Sequence, residues 1–269
     1  MNFRKSFAPL YEINPDDLMF YIGTDRNGKP SITMSSQQRD VAFVSPACVT
    51  HWPRCTGDGN FGTMWGPSDI SKAKYSLDLT DAKIGSEDNA GFKQMADTMS
   101  AIDDKLLDFV FQNQLKCLNG RKNLSREECK MLQIRSVRAK YDKNTGALAG
   151  HSVQLSTPKF TWDGMGGKYA RSITICDHAG MVIENGTVSP GDVVAATVHA
   201  AQVYTGVGGD KFGIQWSFDD VSVICQRNKL DVRTEVSVFN MQKYDFSAPY
   251  EATAPSFSDQ FPENGTNAA

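Results

Sequence analysis

No apolar run in the 269-residue chain approaches the roughly 18 residues that would span a bilayer, so no membrane partner is expected. The first 17 residues carry basic side chains but no apolar h-region, so no secretory signal is expected there. The six cysteines, at 48, 55, 117, 129, 176 and 225, form no CxxC pair. They read as reduced, small core residues of an intracellular protein. The Asn-x-Ser/Thr matches at Asn123, Asn185 and Asn264 are then chance. GxSxG, HExxH and Walker loops are all missing. Gly206-x-Gly208-Gly209 is too short for a phosphate loop and precedes no helix pattern. Asp103-Asp104 and Asp219-Asp220 are adjacent acids whose side chains diverge, unlike a carboxylate dyad. Cys48, His51 and Cys55 are weak metal candidates, because a structural zinc needs four ligands and spacing does not assign the fourth. Two buried thiols and a turn histidine is the plainer reading. No active site and no cofactor are expected.

Charge is near balance overall, at −3, but it is placed unevenly. Asp245, Glu251, Asp259 and Glu263 are the charged residues of the last 25, which hold no Lys or Arg. Pro, Ser and Ala with isolated Phe246, Tyr250, Phe257 and Phe261 fill the rest, the composition of a flexible acidic–aromatic tail. Arg121 to Arg171 holds eleven Lys/Arg against four Asp/Glu. Such an excess suits either an anionic partner or a solvated strand face.

What is abundant is β-type alternation. Asp192–Tyr204 and Lys211–Cys225 flank Thr205–Asp210, a connector with three glycines, and together predict a long hairpin. Phe212, Ile214, Trp216 and Phe218 alternate, then Val221, Val223 and Cys225 continue out of phase. A slip at Asp219–Asp220 predicts a bulge or bend of the kind that closes small barrels. Shorter β-type runs stand at Phe20–Gly23, Ser31–Ser35, Val41–Ser45 and Lys72–Thr80. The N-terminal 74 residues are otherwise turn-rich, with a turn at Arg26–Pro30 and an aromatic, glycine-rich loop at Thr56–Pro67.

Residues 90–118 predict one long helix, with Phe92, Met95, Met99, Ile102, Leu106, Phe109 and Val110 as its core stripe. Asp97, Ser100, Asp103, Asp104 and Asp108 fill its other face, Ser86 or Asp88 caps its start, and Asn119-Gly120 stops it. Ser125-Arg126-Glu127-Glu128 opens a shorter helix with a capping box. Ile134–Tyr141 and His151–Phe160 flank a turn at Asp142–Gly146, a second hairpin. Thr161–Lys168 reads as a loop, Ala170–Asp177, Gly180–Glu184 and Val232–Phe239 as strands. No internal repeat is present.

Cations and rings recur together along these segments. Arg135, Arg138, Lys140 and Tyr141 share one strand; Lys159, Trp162, Lys168 and Arg171 surround a glycine loop; Tyr204 and Lys211 bracket the late hairpin turn. Single-stranded nucleic acid is held this way, cations on the backbone and flat rings on the bases. Trp216, in strict alternation, belongs instead to the core.

NFGTMWGP leads into KAKYSLDLT, AGFKQMADTMSAIDDKL follows, and GDVVAATVHAAQVYTGVGGDKFGIQWSFDDVSVI closes the series. This order resembles the T7-type phage and large DNA virus single-stranded DNA-binding proteins, over roughly Asn60 to Gln226 plus the tail. The N-terminal 60 residues are unmatched, and the last aromatic of the tail, Phe261, stands eight residues from the end. The resemblance implies a mainly-β (α+β) fold, an OB-fold-like antiparallel barrel with one long inserted helix. Residues 1–244 would form that domain, with 245–269 as the tail. It implies sequence-nonspecific binding of single-stranded DNA in replication, recombination or repair, without catalysis. A homodimer, and replication proteins recruited through the tail, would be its partners. Its place would be the site of DNA replication, in a host nucleus or viral factory. The alternative is a β-barrel or jelly-roll structural protein of a virus particle; a basic groove with exposed rings separates the two.

Overall fold

The computed structural model describes residues 8–9, 13–24, 30–36, 41–51, 54–55, 63–64, 74–158, 160–162, 168–170, 173–183, 186–207 and 211–226. The expected turn at 26–29, most of the aromatic loop at 56–67, the Val232–Phe239 strand and the acidic tail lie outside them.

The first half supplies short strands. They are β1 (Ala8–Pro9), β2 (Leu18–Thr24), β3 (Pro30–Ser36), β4 (Ala42–Val44), β5 (Cys48–Thr50), β6 (Arg54–Cys55), β7 (Thr63–Met64) and β8 (Lys74–Thr80). Three helices follow, α1 (Ala90–Gln112), α2 (Gln114–Cys117) and α3 (Arg126–Leu132). The chain then returns to strands: β9 (Gln133–Ile134), β10 (Val137–Tyr141), β11 (Leu148–Pro158), β12 (Phe160–Trp162), β13 (Lys168–Ala170) and β14 (Thr174–Cys176). The long hairpin β15 (Val193–Val207) and β16 (Lys211–Cys225) completes it.

One mostly antiparallel sheet contains every strand except β12 and β13, in the order β1-β4-β15-β5-β8-β11-β10, with β16 on the other edge of β15. The β15–β16 register jumps between Ala196↔Val221 and Val198↔Phe218, which sets the bulge at Asp219–Asp220 where the alternation slips. The ladder does not close. β16 reaches the far edge through a short parallel pairing with β9, Phe212↔Gln133 and Gly213↔Ile134. Elsewhere the seam is held by side chains: Ser217 Oγ donates to the Ser156 carbonyl at 2.8 Å, and Thr157 Oγ1 donates to the Phe218 carbonyl. The architecture is an open, OB-fold-like barrel with one long helix packed against its core.

Val194, Val198, Leu77, Leu79, Val153, Leu155, Phe212, Ile214, Trp216 and Phe218 form one cluster with the apolar stripe of α1. Trp216 is 2% exposed and meets Phe43 edge-on, with ring centroids 5.9 Å apart. Several local details of the helices differ from the sequence reading. Neither Ser86 nor Asp88 caps α1. Asn89 does, its Oδ1 accepting from the Phe92 N–H at 2.9 Å while its Nδ2 donates to the Ala47 carbonyl at 3.0 Å. That second bond, to a residue 42 positions earlier, ties the cap to the sheet. The helix also does not run unbroken to 118. Asn113 Nδ2 donates back to the Phe109 carbonyl at 2.9 Å and the backbone departs from helical angles there. Asn119 and Gly120, both at positive φ, then end the helical region as expected. The capping box of α3 forms as read, Ser125 Oγ receiving the Glu128 N–H and Glu128 Oε2 receiving the Ser125 N–H.

Candidate nucleic-acid interface

Alternation decides what the sheet shows to the outside. On β8 and β11, Leu79↔Val153 and Leu77↔Leu155 face inward, so Asp78↔Gln154 and Ser76↔Ser156 face outward. On β10, Arg138 pairs with Ser152 and Lys140 with Gly150, which puts both cations on that same outer face. On the long hairpin, Trp216 and Phe218 face in, so Gln215 and Gly213 face out, opposite Gln202 and Tyr204. Tyr204 and Trp216 therefore lie on opposite faces of one ribbon.

The outer face is wired by neutral groups. Arg138 Nη1 donates to Gln154 Oε1 at 2.6 Å. Gln202 Nε2 donates to Gln215 Oε1 at 3.0 Å, and Gln215 Nε2 to the Ser156 carbonyl at 3.3 Å. Arg138 is exposed, and because an amide rather than a carboxylate orients it, its charge is left for an anion. Tyr204 is half-buried, its ring laid across Gly213. A Cβ at Gly213 would stand 2.6 Å from Tyr204 Oη and 2.7 Å from the Ile134 carbonyl oxygen. Only glycine admits that approach. Burial pushes the Tyr204 hydroxyl up, and nearby Arg138 pulls it back down. Lys140 Nζ is buried without a hydrogen-bond partner; burial pushes its ammonium down while Asp78 and Asp81 draw it back up.

The other expected contacts divide. Tyr141, 64% exposed, and exposed Lys211 stand at strand ends. Arg135 is half-exposed but already paired, with Asp104 through Nη1 and with Asp103 through Nε at 3.7 Å. Thr161–Lys168 is not simply a loop: Phe160–Trp162 and Lys168–Ala170 pair as strands, and their register sets Trp162 directly opposite Lys168. Lys159 and Arg171 lie outside the described residues. Cys48 is fully buried in β5 and burial pushes its thiol up, His51 is exposed, and Cys55 lies on β6. Among the described residues, no group of three His, Cys, Asp or Glu side chains gathers as a metal would require.

One feature inside the barrel contradicts the sequence reading outright. Asp103, assigned to the polar face of α1, is 0% exposed. Its Oδ2 accepts the Ser136 N–H at 2.7 Å and its Oδ1 accepts the Ser136 hydroxyl at 2.8 Å. Ser136 Oγ in turn accepts the Trp216 Nε1–H at 2.7 Å. Burial pushes the Asp103 carboxyl up to about 6, against the pull of the Ser136 bonds and Arg135.

No family model and no curated protein sequence matches the chain. Among solved structures it is similar to gp2.5, a single-stranded DNA-binding protein encoded by bacteriophage T7. The TM-score is 0.48 at 12% identity, over 86% of this chain and 100% of that one. It is similar too to the single-stranded DNA-binding protein from bacteriophage Enc34 in complex with ssDNA, with a TM-score of 0.38 at 9% identity, over 77% and 96% of the two chains. No residue role carries over at this similarity. Gln154, Gln202 and Gln215 escaped the sequence reading because attention there went to cations and rings. Their alternation against Val153, Leu155, Val203, Ile214 and Trp216 was a signal that could have placed them outward.

Proposed function

We propose that the chain is a non-enzymatic, sequence-nonspecific single-stranded DNA-binding protein acting in replication, recombination or repair. The observation that carries this reading is the shared outer face of Arg138, Gln154, Gln202, Gln215 and Tyr204, assembled by strand register opposite the Trp216 core face. An exposed guanidinium held by an amide meets a phosphate, and a tyrosine ring at the rim of the sheet offers a surface for a base. Amide and hydroxyl groups between them tolerate any base, since they are not fixed in one donor–acceptor code. Arg138, Lys140, Tyr141, Tyr204 and Lys211 are the contacts proposed on the barrel, with Trp162 and Lys168 on the small hairpin. Lys159 and Arg171 extend the set on sequence grounds. Arg135 serves mainly to anchor the crossing segment, since it is ion-paired. The acidic tail from Asp245 is proposed as a competitor for the basic face and as the surface for replication proteins.

The test is a fluorescence titration with labelled oligo-dT against duplex over a series of salt concentrations. Affinity for oligo-dT should fall by about 0.7 log unit per log unit of salt for each phosphate neutralised. Salt-independent affinity, or tighter binding to duplex, refutes the reading.

A further inference from the structure

Gln133 to Ser136 is the segment that leaves β16 and enters β10, and three of its residues bond one residue of α1. Gln133 Nε2 donates to the Asp103 carbonyl at 2.6 Å, Ser136 donates to both carboxylate oxygens, and Arg135 Nε stands 3.7 Å from Oδ2. Arg138 follows Ser136 by two residues, on the strand that this grip sets in place.

Resting on the DNA-binding reading, we propose that Asp103 is a positioning residue of the interface. As a carboxylate it holds the crossing segment, and with it Arg138; once protonated it lets go, and single-stranded DNA binding weakens in mild acid. The geometry gives the reason. Both carboxylate oxygens accept hydrogen bonds, and both of their donors belong to Ser136. A neutral carboxyl carries a proton on one oxygen, so a donor then faces a donor. The Ser136 hydroxyl must turn away, and it is the acceptor of the Trp216 indole N–H. A proton on Asp103 is thus felt both at the start of β10 and in β16.

The charged and titratable groups around Asp103 are Arg135 from the crossing segment, Asp104 from α1 and Tyr204 from β15. β9 contributes the Gln133 amide and β16 the Trp216 indole. Burial raises the Asp103 carboxyl to about 6, so the change falls in a range that a cell reaches.

The experiment follows oligo-dT affinity at constant salt from pH 7.5 to 5.0, together with the Trp216 indole N–H resonance, assigned through Trp216→Phe. The full-length protein is compared with Asp103→Asn. In the unmodified protein the resonance should shift with a midpoint near 6, and affinity should fall at least about fivefold relative to Asp103→Asn, the lower end of usual coupling. All four histidines are kept in both proteins, so the difference between the profiles belongs to Asp103. Ser136→Ala is the second variant: it removes the indole's acceptor, and should lose the shift even if Asp103→Asn folds poorly. A shift that survives in Asp103→Asn, or in Ser136→Ala, overturns the inference. So does a shift that vanishes as expected while the two affinity profiles run parallel. Absence of oligo-dT binding at every pH overturns the functional reading and this inference with it, whereas intact binding with parallel profiles overturns this inference alone.

Discussion

Replacing Trp216 with alanine separates the two faces of the long hairpin most sharply. The indole is 2% exposed, packs edge-on against Phe43 and donates to Ser136 Oγ at 2.7 Å. Truncation leaves a cavity in a region walled by Phe43 and the α1 stripe, which costs about 3–5 kcal/mol. Loss of the indole hydrogen bond adds roughly 1 kcal/mol, because Ser136 Oγ keeps its bond to Asp103 and is not left without a partner. In a domain of this size that is a fall in melting temperature on the order of 10–20 °C. Trp216→Phe retains much of the packing and should fall by only about a third as much. Tyr204→Ala is the counterpart on the outer face. Half-buried over Gly213, it should melt within a few degrees of the parent, yet lose about 1–3 kcal/mol of oligo-dT binding. Thermal unfolding followed by circular dichroism and the fluorescence titration measure the two effects. If Tyr204→Ala unfolds the protein while Trp216→Ala melts normally and only weakens binding, the faces are assigned backwards and the interface is on the wrong side of the sheet.

Three further outcomes are expected. Gly213→Ala should destabilise the protein by about 1–3 kcal/mol in urea unfolding, because its new methyl meets the Ile134 carbonyl at 2.7 Å and the backbone cannot yield as a side chain would; a neutral effect refutes the close approach. Asp103, raised in the folded protein from its ordinary 3.8 to about 6, contributes stability that is fully present below 3.8 and lost as pH rises through 6. The corresponding change is about 3 kcal/mol, so urea midpoints should decline across that window and stay flatter in Asp103→Asn; equal slopes count against the buried charge. Deleting residues 245–269 removes four acids and no Lys or Arg, so DNA binding should tighten and its salt dependence flatten; weaker binding would mean that the segment belongs to the fold or the site.

Local periodicity determined a good deal by itself. The long hairpin, its slip at Asp219–Asp220, the inward face of Trp216 and the capping box at Ser125 all follow from residues a few positions apart. Each depends on a backbone repeat of two or about three and a half residues, which the chain writes directly into its order. The tertiary structure decided what depends on distant partners. Asp103 sits where period alone makes it solvent-facing, and only Ser136, 33 residues later, supplies the hydrogen bonds that offset its desolvation. Asn89 wins the cap over Ser86 and Asp88 because Ala47 lies within its reach. Arg135 and Arg138 look alike in the sequence, yet one meets Asp104 and the other Gln154. The barrel stays open because β11 and β16 meet through side chains rather than a backbone ladder. A buried charge, a shared cap and a seam are all settled by which groups replace the water that folding removes, and those groups come from elsewhere in the chain.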